Sequence, residues 1–118
     1  MHQIATTLTV LVAALHGYFL VLEMFLWNRP AGRRIFRTTP EFAQASRALA
    51  ANQGLYNGFL AAGLIWSLAL GTAGTAVRIF FLVCVIIAGL YGGITVNRRI
   101  VLVQALPAVL ALAATYLS

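Results

Sequence analysis

Glu23 and His16 are the side chains in this sequence best suited to moving a proton, and they stand seven residues apart inside one long apolar run. Seven residues make two helical turns, so on a helix both project from one face, within about 20° of each other. A carboxylate inside an apolar span costs roughly 2.5–3.5 kcal/mol on insertion scales, so Glu23 needs a partner or a purpose. His16 has the basicity of a proton relay. With Glu23 as acid or base and His16 as its relay or orienting partner, the pair would support proton transfer on a bound molecule. With Glu23 paired to Arg47 or Arg99, or bonded to Gln53 or Gln104, the same residues would be structural glue. One His and one Glu form a weak ligand set, and the single cysteine, Cys84, lies in another apolar run. No metal and no cofactor are therefore expected. The sequence holds no Ser-His-Asp constellation, phosphate loop or zinc helix motif, so hydrolase and kinase chemistry are set aside.

Groups able to position a polar head lie in the stretch from Ala50 to Gly63. On a helix, Ala50, Gly54, Gly58 and Ala62 recur every four residues and form a strip of small side chains where another helix can seat. Asn52, Gln53 and Asn57 flank that strip. A buried amide left unpaired costs on the order of 2–7 kcal/mol, so other helices must supply partners. Tyr91 and Gln104 are candidates for the same ligand-binding cluster. Gly89 and Gly93 mark a second close-packing face.

The elements that would hold these groups follow from composition. Of 118 residues, 62% are hydrophobic and 8% charged, too apolar for a water-soluble domain. A span needs roughly 20 apolar residues, and four such stretches are read at about 3–28, 47–70, 77–96 and 100–117. Together they form one transmembrane domain, an all-α antiparallel four-helix bundle. The basic connection 29–46 carries Arg29, Arg33, Arg34 and Arg37. Within it Thr39-Pro40-Glu41 reads as an N-cap, a first-turn proline and an acid at the positive end of a helix dipole.

All eight basic residues are arginine, and the formal net charge is +6. Seven of them fall at the first and third breaks and Arg78 alone at the second, which places both termini outside and the basic connection in the cytoplasm. The charge thus reads as topology, not nucleic-acid binding. Arg29, Arg33, Arg34, Arg37 and Arg47 are expected to contact membrane lipids or an anionic ligand. Measured from the cytoplasmic helix ends at about 1.5 Å per residue, the intramembrane polar residues fall within roughly 18 Å. They suggest a pocket open toward the cytoplasm.

Five segments carry a family resemblance: His16-Gly-Tyr-Phe-Leu-Val-Leu-Glu-Met-Phe-Leu-Trp27, Thr39-Pro-Glu-Phe42, the run Leu49 to Gly63, Gly89-Leu-Tyr-Gly-Gly93 and Val103-Gln-Ala-Leu-Pro107. Taken together the chain resembles the bacterial and fungal membrane family catalogued as domain of unknown function 1304. The resemblance implies a four-helix integral membrane protein of about this size and carries no catalytic assignment.

The leading expectation is a small polytopic protein of a bacterial inner membrane. Its polar pocket binds a small amphiphilic or lipid-like molecule and acts on it by proton transfer. The alternatives are a small homo-oligomeric transporter, assembled through the glycine-rich faces, and a non-catalytic accessory or scaffold subunit.

Overall fold

Pro30, Pro40 and Gly71 stand at breaks between helices in the computed structural model, which describes residues 1–118. Helix α1 spans His2–Met24. Pro30 forces Arg29 into the extended region, at φ −94° and ψ 160°, because its ring collides with a helical predecessor. The same proline then opens a short helix, α2, Pro30–Phe36, where its missing N–H costs nothing. Arg37 ends α2 in the left-handed region at φ 56°, its N–H bonding the Arg33 carbonyl.

Helix α3, Pro40–Ala69, starts where Thr39 caps it. The Phe42 N–H donates to Thr39 Oγ1 at 3.1 Å. Gly71, at φ +63°, stops α3, and a 3-10 turn over Gly71–Gly74 leads into α4, Thr75–Thr95. After the break at Asn97, whose Oδ1 accepts from the Arg99 N–H, the chain passes through a π-helical turn, Val101–Ala105, into α5, Leu106–Tyr116. Pro107 has no N–H for the carbonyl four residues earlier, and the widened turn absorbs the resulting mismatch.

The basic connection read across 29–46 is therefore mostly helical. The sequence-based reading missed α2 because seven residues show too little hydrophobic period. Four spans are expected from sequence; two helical stretches, α1 and Gly71–Thr95 containing α4, are by length and composition apolar enough to cross a membrane. At 30 residues α3 is long enough, but Asn52, Gln53, Asn57 and Arg47 dilute its apolar character. The last helical stretch, Val101–Tyr116, reaches only about 24 Å at 1.5 Å per residue.

The chain divides into two compact units, Met1–Ala14 with Leu60–Ser118, and Leu15–Phe59. In the first, Val12, Ala13, Leu64, Leu82, Val85, Ala108 and Ala111 form a buried core drawn from α1, α3, α4 and α5. Small residues let the backbones meet. Gly63 lies under the Phe81 ring, Gly93 against Val101, and Gly89 against the backbone of Ala105. The interior hydroxyls are satisfied locally: Thr9 bonds the Ala5 carbonyl at 2.7 Å, Ser67 that of Leu64 at 2.6 Å and Thr115 that of Ala111 at 2.8 Å. Large apolar side chains such as Phe80, Ile87, Ile94, Leu102 and Leu110 point outward.

The second unit is a hairpin of the end of α1 and the start of α3, with α2 folded over the turn. A Cβ on Gly32 would strike the Leu26 carbonyl, so glycine is what lets α2 lie against the 26–27 backbone. Trp27 packs against Phe36 with the rings tilted by 49° at 4.9 Å between centroids. The Trp27 indole donates to Ser46 Oγ at 3.0 Å, and Asn28 Nδ2 donates to Gln44 Oε1 at 2.6 Å.

Candidate functional site

On α1, Thr9, His16 and Glu23 recur every seven residues and all three are buried. A seven-residue repeat holds one helix face against its neighbours. Glu23 is 4% exposed, and His16 is fully enclosed, its ring edge-to-face with Phe19 at 5.6 Å between centroids. From α3, Asn57 Nδ2 donates to Glu23 Oε1 at 2.6 Å.

Gly54 and Gly58 make this contact reachable. A Cβ on Gly54 would stand 2.8 Å from Met24 Cγ, 3.0 Å from Glu23 Cβ and 3.2 Å from the Leu20 carbonyl oxygen, and Gly58 faces the Leu20 side chain. With both side chains absent, α3 approaches α1 closely enough for a short amide to meet a carboxylate.

The other predicted residues are placed differently. Asn52 and Gln53 are exposed on α3. Tyr91, on α4, is 70% exposed, and Gln104 is half-buried in the π turn; both belong to the other compact unit. Arg34 and Arg37 are exposed, while Arg33 Nη1 donates to the Asn28 carbonyl at 2.7 Å.

Next to Glu23 in sequence, Met24, Phe25, Trp27, Asn28, Arg29 and Arg47 line a cavity of about 340 Å³. Its accessible lining is mainly polar, with two arginines set beside Phe25 and Trp27, and suits an anionic head with an apolar portion against the aromatic side chains. Sequence reasoning reached Arg29 and Arg47 but passed over Phe25, Asn28, Gln44 and Ser46. The signal was present as polar residues spaced along the first turns of α3, but it is readable only once α1 and α3 are paired. Nowhere do three His, Cys, Asp or Glu side chains gather as metal ligands, and Cys84 is a half-buried free thiol.

Comparison with known proteins agrees with the resemblance carried by the motifs. The chain is 33% identical over 111 residues to uncharacterized protein YpaA of Lactococcus lactis subsp. lactis (strain IL1403), covering 92% of this chain and 93% of that protein. No solved structure matches it significantly. Residues 10–116 match the family described as "Protein of unknown function (DUF1304)", and the chain belongs to that family.

Proposed function

We propose that this protein is an integral membrane protein of a bacterial cytoplasmic membrane that binds a small amphiphile on the cytoplasmic side. In this reading the helices cross as an antiparallel four-helix bundle with both termini outside. The outward apolar side chains of α1 and α4 face hydrocarbon, and the arginine-rich first and third connections stay in the cytoplasm. The amphiphile's anionic head pairs with Arg29 and Arg47, and its apolar body lies along Met24, Phe25 and Trp27. The observation that carries the reading is the cavity that combines these cations and aromatics, its lining beginning at Met24, the residue after Glu23.

Glu23, buried one residue before the cavity lining begins, is the group this reading assigns to proton exchange with a bound molecule. Asn57 holds one carboxyl oxygen and so sets the orientation of the other. His16, two turns deeper on the same face, is the relay. Asn52 and Gln53, in the same compact unit as Arg29 and Arg47, remain candidates for head-group contacts. In this reading Gly54, Gly58, Gly89 and Gly93 serve packing within each compact unit, where an added Cβ would meet a neighbouring helix.

The test is native mass spectrometry of protein released gently from its own membranes, wild type beside Glu23→Gln and the double variant Arg29→Gln/Arg47→Gln. A discrete bound mass kept by the wild type and lost by the double variant supports the binding reading. A mass retained by Glu23→Gln but no longer chemically converted assigns Glu23 the proton transfer. Absence of any retained molecule in all three would leave the polar residues a packing role.

A further inference from the structure

The unit formed by Met1–Ala14 and Leu60–Ser118 contains one buried cation and no acidic side chain, because both acids of the chain, Glu23 and Glu41, lie in the other unit. That cation is Arg78, 6% exposed, whose Nε has no hydrogen-bond partner. It sits one turn into α4, where the aligned peptide dipoles leave positive charge, and the first turn of that helix holds no acid to offset it. A buried guanidinium at a positive helix end is doubly unfavourable unless an anion joins it.

Space for one is present. Arg78 lines a cavity of about 230 Å³, several times the roughly 30 Å³ share of a single water, together with His2, Thr72, Thr75, Thr115 and Ser118. The start of α1, the turn before α4 and the end of α5 meet around it. Three of the hydroxyls direct their protons at backbone carbonyls: Thr75 at Thr72, Thr115 at Ala111 and Ser118 at Ala114. The unpartnered donor in this lining is Arg78 Nε, and the His2 imidazole and the Thr72 hydroxyl stand on the same wall.

The geometry points to an anion site of the phosphate class at Arg78, separate from the Glu23 site and filled by a lipid head group or by free phosphate. A guanidinium matches phosphate oxygens with parallel N–H donors, and the helix end adds its dipole. The site is independent of the amphiphile cavity, so either can fail without the other.

The full chain in neutral detergent is offered phosphatidylglycerol or phosphatidylcholine and examined by native mass spectrometry. In parallel, inorganic phosphate is titrated against chloride at constant ionic strength while thermal unfolding is followed. If the head group is the source, Arg78→Gln keeps one phosphatidylglycerol fewer than the wild type, with about a tenfold loss of occupancy for that lipid, Arg78→Lys falls between them, and the exposed Arg98→Gln matches the wild type. If the source is free anion, lipid retention is equal in all variants, and phosphate raises the melting temperature of the wild type but not of Arg78→Gln. Should Arg78→Gln fail to fold, Arg78→Lys and His2→Gln carry the comparison, each with weaker binding than the wild type. Equal behaviour of wild type and Arg78 variants in both arms, or equal losses in Arg98→Gln, overturns the assignment.

Discussion

Asn57 donates its side-chain N–H to Glu23 across 2.6 Å, joining residues 34 apart in sequence at the point where Gly54 removes the Cβ that would keep their helices separated. The pair makes distinct demands on its two members. Asn57→Leu leaves a buried carboxylate without its donor and is expected to destabilise by about 1–3 kcal/mol. Glu23→Gln keeps a carbonyl oxygen that can accept from Asn57 and is expected to cost less. Denaturant unfolding in micelles of both single variants and the double variant checks this. A coupling energy near zero would show that the contact contributes nothing.

Two glycines should respond in opposite directions to the same change. A Cβ at Gly89 would lie 2.7 Å from the backbone nitrogen of Ala105 and 3.0 Å from its Cα, neither of which can rotate away. Gly89→Ala should therefore part α4 from the π turn and cost about 1–3 kcal/mol. At Gly17 a Cβ meets nothing within 4 Å. Gly17→Ala should be stabilising by up to about 1 kcal/mol, since alanine loses less backbone freedom in a helix. Thermal melts of the two variants side by side decide it, and a stabilised Gly89→Ala would contradict the packing described here.

The join between α2 and α3 rests on two backbone devices. Arg37 holds φ 56° as a non-glycine residue, a conformation glycine adopts without a steric penalty. Arg37→Gly should raise stability by roughly 1 kcal/mol if the arginine side chain makes no compensating contact. Thr39→Ala removes the acceptor of the Phe42 N–H and should cost about 0.5–2 kcal/mol. Amide hydrogen exchange across residues 38–44 is the sensitive readout, with protection rising in the first variant and falling in the second.

The cavity beside Trp27 predicts ligand selectivity. Spin-labelled anionic amphiphiles should bind the wild type more tightly than their zwitterionic counterparts. Arg29→Gln/Arg47→Gln should lose about tenfold in affinity for the anionic probe and leave the zwitterionic one unchanged. Indifference of both probes to the two arginines would remove the head-group contact from the proposal.

Local chain chemistry made much of the helix pattern readable. Pro30 set Arg29 extended, Thr39-Pro40-Glu41 opened α3, and Pro107 disturbed the last helix, each through nearest-neighbour sterics or a side chain capping its own backbone. The seven-residue spacing likewise put His16 and Glu23 on one face of α1 before any partner was known. The short helix α2 escaped notice because its stability comes from Trp27 packing against Phe36 and from Gly32 meeting Leu26, contacts absent from a linear reading.

Which amide faces Glu23 was not decidable from sequence. Asn52, Gln53 and Asn57 are separated by turns of about 100° per residue on a helix apolar around most of its circumference, so no period marks the inner face. The tertiary structure selects Asn57 through the close approach at Gly54 and leaves Asn52 and Gln53 exposed. It also buries Arg78, which its place at a helix start had marked as a simple topology signal. Sequence determined what each segment is, because propensity and capping act over a few residues. Rotation of each helix about its axis, and hence which polar groups meet, was decided by packing between segments far apart in the chain.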